Sequence, residues 1–341
     1  MAKEGRRSTP ASTQREDHFR GVIAVTGATG FVGRHLTRML VKNGYQVRAL
    51  TRSTSKARNV FPTSDLNGKA IILVSGTMSD PDKLNTLVKG CDACIHLVGI
   101  IRETKGQTFE SVHVDGTRAI INACKDRDSK FRYIHMSALG VGPSPRAGYR
   151  DTKHRAEQIV KGSGLRWTIV RPGLIHGHDG EFTQQAVGWV RGKEAPYLFL
   201  PYFSRWKQDG FGFEPPTVAP IFVDDVARVF VESIGNERAI GHVYEISGSQ
   251  RVEFPEMLRI YAKQITPEPK SKPAIGVPWR VAVAQAKLAK MVGLGGLLPF
   301  DEGMATMGAR DSVADNTDVE RDFGFTPAGF EESLSTYAER L

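Results

Sequence analysis

Tyr149 and Lys153 stand four residues apart in Tyr149–Lys161, a stretch that reads as a helix stopped by Gly162 and Gly164. At that spacing the two side chains share one helix face. An ammonium close to a phenol favours the phenolate, so the tyrosine can pass protons near neutral pH. Ser137, in HMSALG at the end of a strand, adds a hydroxyl that could orient a substrate carbonyl. A second constellation lies in VIAVTGATGFVG, where Gly27, Gly30 and Gly33 recur every third residue between a buried strand and a helix. Glycines let the backbone turn tightly and approach a pyrophosphate, and a helix N-terminus presents free N–H groups and partial positive charge. The cradle expected there comprises Gly27, Thr29, Gly30, Phe31, Val32 and Gly33.

The elements that must position these groups alternate in type. Strands are expected over 22–25, 46–50, 70–74, 93–98, 131–136 and 167–170, with helices over 34–43, 80–89 and 109–124 between them. Pro81 suits a first helical turn, and Pro172-Gly173 closes the sixth strand. Such β-α alternation means a parallel sheet with helices on both faces. The fold class is therefore α/β, a Rossmann-type doubly wound sheet with a smaller, interleaved C-terminal substrate lobe. Residues 1–20 read as a disordered tail and 21–175 as the NAD(P)-binding domain. Its sheet is completed by about 220–248, through a strand over 220–223, the helix DDVARVFVESI and the strand His242–Ile246. The lobe takes 176–219, irregular and rich in Gly, Pro and aromatics, together with 251–341.

The bulk composition excludes several classes. With 341 residues, 40% hydrophobic and 24% charged, the chain is of ordinary globular type. No apolar run approaches the ~20 residues needed to cross a bilayer. The first twenty residues lack the apolar core of a secretory signal, although a transit peptide stays open. Three cysteines cannot form a disulfide framework. Cys91 and Cys94 make a C-x-x-C, but they open the apolar strand CDACIHLVGI, where packing is expected rather than redox exchange. The expected location is cytoplasmic, or peripheral to the inner face of a membrane. The net charge of +9 is uneven, because residues 301–341 carry ten acids against three arginines. A basic body suits an anionic cofactor. No aromatic-interleaved basic patch points to nucleic acid.

An acid at the end of the second strand ordinarily holds the ribose 2′-OH of NAD. Here the strand ends Ala49-Leu50-Thr51-Arg52-Ser53, and no acid follows until Asp65. Arg52, with Lys56 and Arg58 nearby, can instead pair with a 2′-phosphate, which favours NADP(H) and leaves NAD(H) open.

Together TGATGFVG, VHVDGTRAIINAC, Ser137, Tyr149 with Lys153, and Arg171-Pro172-Gly173 resemble a short-chain dehydrogenase/reductase of the extended or atypical kind. HLVGIIRE, TFESVHVDGT, YIHMSALG, LRWTIVRPGLIHG and PIFVDDVA are similar to one branch, the nucleotide-binding accessory subunits of mitochondrial complex I (NADH:ubiquinone oxidoreductase) and their bacterial relatives. The likeness covers 21–250 and continues faintly through the acidic end. It implies Gly27, Gly30 and Gly33 on the pyrophosphate, Arg52 on the adenosine ribose and Lys153 on the nicotinamide ribose. Pro172 and Gly173 would lie near the nicotinamide ring, with Tyr149 as acid/base. Two positions depart from the pattern. His113 stands where extended members often have Asn, which weakens the usual proton relay, and Gly76-Thr77 replaces a Gly-Asp that contacts adenine.

His176 and His178 flank Gly177 without companion ligands, so they are expected to line a pocket and no metal is expected. The stretch 279–300 could form a basic amphipathic helix, either packed within the lobe or resting on an anionic membrane. Arg280, Lys287 and Lys290 would share one arc, with Val281, Leu288 and Val292 roughly opposite.

Three functions remain in play. The first is an NADP(H)-dependent oxidoreductase acting on a carbonyl or lipophilic small molecule through Ser137, Tyr149 and Lys153. The second is a non-catalytic nucleotide-holding subunit or redox sensor of a larger assembly. The third is a sugar-nucleotide epimerase or dehydratase, which ranks last because no nucleotide-sugar motif is legible.

Overall fold

A computed structural model describes residues 19–144, 148–207, 209–266, 272–291, 300 and 302–341. The expected tail lies outside the described residues up to residue 18, as does 292–299 of the expected amphipathic stretch.

Seven parallel strands form the central sheet: β1 (Val22–Thr26), β2 (Gln46–Thr51), β3 (Ile71–Ser75), β4 (Ala93–His96), β5 (Arg132–Met136), β6 (Arg166–Pro172) and, after an excursion into the lobe, a seventh at His242–Ile246. The seventh pairs with β6, so the order runs from it through β6, β5, β4, β1 and β2 to β3. The direction of winding reverses between β1 and β4. In open α/β sheets the crevice at such a reversal is where ligands bind.

Alternation along β1 sorts its side chains between two cores. Ile23 and Val25 face α1 (Phe31–Lys42) and the helix Val223–Ser233 through Leu36, Leu40, Val226 and Phe230. Ala24 faces the other layer, where Leu84, Leu87, Ile120 and Ile121 pack. Cys94 and Cys124 belong to that second core, and burial pushes the half-buried Cys91 thiol up to about 11, which suits packing rather than redox exchange.

Helix α1 begins at Phe31, three residues before the expected start, because the glycine turn runs directly into it. The helix expected over 109–124 opens instead with a π-helical turn, Glu110–Asp115, before α-helix resumes at Gly116–Cys124. The stretch 176–219 is more regular than its composition implies. It holds a helix, Glu181–Arg191, and a strand, Leu200–Trp206. That strand pairs in parallel with Ala274–Pro278 and antiparallel with Phe213–Glu214. Its main partner lies about seventy residues onward, so nothing local announces it. The lobe core gathers Met257, Leu258, Tyr261, Phe330 and Leu334. The acidic end also returns to the nucleotide side, where Val319 and Phe323 join the core around α1.

One buried ion-pair network ties the site helix to the sheet. Arg171 on β6 grips Glu157 of the helix Tyr149–Lys161 with two bonds of 2.8 and 2.6 Å, and reaches Glu245 at 2.9 Å. Glu157 is fully buried. Arg171→Met strands that carboxylate, and we expect a loss of about 3–5 kcal/mol in denaturant unfolding. A change within the scatter of surface substitutions would show that the network does not anchor the helix.

Candidate functional site

The glycine turn places α1 against the end of β1. Gly27 adopts φ +76°, a left-handed conformation, and a Cβ there would press on the backbone of Leu97 and Val98 at 3.2 Å. A Cβ on Gly33 would overlap the carbonyl oxygen of Gly27 and approach the Ala28 carbonyl carbon at 2.7 Å. Gly30 is the N-cap and supplies no side-chain cap, so the leading N–H groups of α1, at Phe31 and Val32, stay available to an anion. Thr29 stands within the turn, and its carbonyl accepts from Arg34 at 3.4 Å. The Phe31 ring lies against Gly177 and Gly180, where Cβ atoms would meet it at 3.1 and 2.8 Å. These contacts bring the turn and the start of α1 into close backbone contact.

Three further pieces meet at the strand ends. Lys153 is buried, and its Nζ donates to the carbonyl of Met136 at 2.9 Å, one residue from Ser137. The Ser137 N–H donates to Val170 O at 2.8 Å, and Leu139 N–H to Pro172 O at 2.9 Å, which aligns Ser137 beside Pro172-Gly173. The Ser137 hydroxyl is buried with no hydrogen-bond partner among the described residues. Such an orphaned donor suits a group that only a ligand satisfies. Gly99 closes the gap between turn and lysine, since a Cβ there would sit 3.1 Å from Lys153 Nζ.

Tyr149 opens the helix that carries Lys153, with its ring edge-on to Phe109 and His113 at 5.8 and 5.4 Å. The expectation that Lys153 lowers the tyrosine pKa is not met in this arrangement. Burial pushes the Tyr149 phenol up to about 12 and the Lys153 ammonium down to about 8, while that ammonium is engaged by Met136. Arg52 leaves the end of β2, beside β1, exposed and without an ion-pair partner among the described residues. Exposed Lys56 and Arg58 follow on the short helix Thr54–Val60, capped by Ser53.

Several groups were not singled out as site residues from sequence. His113 bonds Thr152 Oγ1 through Nδ1 at 2.9 Å and meets the Ile100 backbone through Nε2. His96 at the end of β4 contacts Thr26 Oγ1 at 2.6 Å and stacks on His135, whose two ring nitrogens are buried without partners. Burial, helped by the Lys153 charge, lowers His96 and His113 to about 3, and burial drives His135 well below its ordinary value. Lys153 thus sits among neutral rings. Ser312, from the far end of the chain, accepts the Leu174 N–H at 3.1 Å and lies against Gly173. Short motifs could not reveal it at that separation.

His176 is buried in the lobe, bonded to Tyr337 at 2.7 Å and Ser333 at 3.2 Å. His178 lies with His35 and Asp179, their ligand-type atoms within 4.8 Å of one another. Those groups are already engaged: Arg34 pairs with Asp179 at 2.7 Å, and His35 bridges Asp179 and Asp224 at 3.0 and 2.6 Å.

Residues 27–194 match a family described as NAD(P)H-binding. A ceramide reductase of Caulobacter vibrioides is 36% identical over 46% of this chain and 47% of that protein. Subunit 9 of the NADH dehydrogenase [ubiquinone] 1 alpha subcomplex of Arabidopsis thaliana is 26% identical over 78% of this chain and 63% of that protein. The chain thus spans less than two thirds of either relative. Among solved structures, the Bordetella bronchiseptica enzyme WbmH in complex with NAD+ superposes with a TM-score of 0.64 at 17% identity. That match covers 92% of this chain and 96% of WbmH, and it shows the fold.

Burial of Lys153 also has a stability signature. Its pKa is about 8 when folded against 10.5 unfolded, so between those values the unfolded chain binds the extra proton. Stability then rises with pH across that window, by up to about 3 kcal/mol. Buried Cys91 and Tyr149, common to both proteins, contribute the opposite slope, so the wild-type minus Lys153→Met difference in urea unfolding should grow in favour of the wild type from pH 7.5 to 10.5. Parallel curves for the two proteins would refute the assignment.

Proposed function

We propose that this chain, an extended short-chain dehydrogenase/reductase with an NAD(P)H-binding domain over residues 27–194, reduces a carbonyl in a lipophilic small molecule with NADPH. The observation that carries the reading is the buried Lys153 ammonium on Met136 O beside the orphaned Ser137 hydroxyl, at the same strand ends as the glycine cradle. When bound, the dinucleotide supplies a hydride. Ser137 hydrogen-bonds the substrate oxygen and fixes the carbonyl. Tyr149, protonated at neutral pH and raised further by burial to about 12, gives that oxygen its proton. Lys153 contacts the nicotinamide ribose, and Pro172-Gly173 borders the ring. Gly27, Gly30 and Gly33, with the Thr29–Val32 backbone, take the pyrophosphate.

Arg52 supports NADP(H) over NAD(H), being exposed and without an ion-pair partner among the described residues where a 2′-phosphate would project. The similarity to a ceramide reductase supports a lipophilic substrate, and such a substrate favours a cytoplasmic enzyme peripheral to the inner face of a membrane. A second reading, a nucleotide-holding subunit of a respiratory assembly, is favoured by the similarity to the NADH dehydrogenase subunit over 78% of the chain. The raised Tyr149 pKa fits it equally well.

Tyr149→Phe separates the two. For a reductase, NADPH binding measured by fluorescence stays intact while long-chain ketone turnover falls about 10²–10⁴-fold. For a holder, no ketone is turned over by either protein. Arg52→Glu tests the cofactor: NADPH affinity should fall about tenfold or more with NADH affinity preserved. Undiminished NADPH affinity would remove the phosphate assignment.

A further inference from the structure

The lobe helix Trp279–Met291 is packed the wrong way round for a protein surface in water. Ala282 and Ala286 are buried, whereas Val281 is 48% exposed, Leu288 62% and Met291 83%. At 100° per residue Val281, Ala284, Leu288 and Met291 fall within an arc of about 80°, opposite the buried alanines. Arg280 and Lys287, both exposed, border one edge of that arc. From 269 to 300 the sequence holds no acid and five lysines or arginines.

A second apolar group leaves the same end of the lobe sheet. Pro278, which precedes the helix, pairs with Ser204. Two residues beyond Ser204, Trp206 is 57% exposed, and Phe211 in the following turn is 86% exposed, next to the exposed Lys207. Trp206 is braced edge-on by Phe213 at 4.9 Å.

We propose that this helix face, together with Trp206, Phe211 and Phe213, forms a seat for an anionic phospholipid surface. Charge selects that occupant. A second copy would set Lys207, Arg280 and Lys287 against the same cations, and among the described residues Asp209, which accepts the Phe211 N–H, and Glu302, 3.8 Å from Lys287, offset them only in part. Lipid headgroups carry the complementary charge, and the apolar arc enters the acyl boundary between them. The helix has thirteen residues, and none among the described residues is long and apolar enough to cross a bilayer, so it lies in the interface plane. The seat is independent of whether Tyr149 turns over.

Co-sedimentation at low salt with phosphatidylcholine vesicles, with and without phosphatidylglycerol, tests it. The full chain should pellet with the anionic vesicles only. Leu288→Ser/Met291→Ser keeps the charge and touches no core residue, and it should lower partitioning about tenfold or more. NADPH binding should be unchanged in that variant, which confirms that it folds. Arg280→Gln/Lys287→Gln should weaken binding to the anionic vesicles as well. The proposal is overturned if the wild type stays in the supernatant. It is equally overturned if the Leu288/Met291 variant binds as well as the wild type, since net charge alone then suffices. A variant that changes only the oligomeric mass by light scattering would assign the face to a second copy instead.

Discussion

The absence of a side chain at Gly33 is the constraint from which the nucleotide half is built. Helix α1 meets the turn so closely that a single methyl group would occupy the space of the Gly27 carbonyl. This contact sets the angle at which α1 leaves β1 and lays Leu36 and Leu40 into the core shared with Val226 and Phe230. It also aims the open first turn of the helix at the crevice where the sheet reverses direction. The packing of α1 and the aim of its uncapped first turn thus rest on one close approach.

Burial then decides the electrostatics of the other side of the crevice. Lys153 is enclosed among His96, His113 and His135, all held neutral, and its charge is carried by one backbone carbonyl. A cation so poorly solvated gains strongly from any polar partner brought to it. The same lack of solvent raises the Tyr149 phenol to about 12, further above the range in which it is already protonated. The spacing of the pair suggested a lysine acting on a phenol. The folded arrangement instead shows two groups shifted independently by burial, with the lysine turned to the strand end.

Much of the nucleotide half was legible from residue order, because its determinants are local. Each strand is a short apolar run, each helix has its own period and stop, and consecutive strands are neighbours in the sheet except at the step from β3 to β4. Tyr149–Lys161 and His242–Ile246 carry the bounds that the pattern implies. The lobe was less legible because its pairings are distant. Leu200–Trp206 needs Ala274–Pro278 to be a strand, and His176 is satisfied by Ser333 and Tyr337, some 160 residues away. Ser312 reaches Gly173 across a similar gap. No window of ten or twenty residues contains such information.

By itself the amino-acid order determined the βαβ alternation, the glycine cradle, the missing acid at Arg52 and the i, i+4 pair on one helix face. All of these follow from short-range sterics and periodicity. Tertiary structure alone decided which hydroxyls are orphaned, Ser137 among them, which histidines surround Lys153 and which face of Trp279–Met291 meets solvent. Those properties depend on what is brought alongside. A residue's charge state and exposure are set by its neighbours in space, and periodicity cannot say which arc of a helix those neighbours cover.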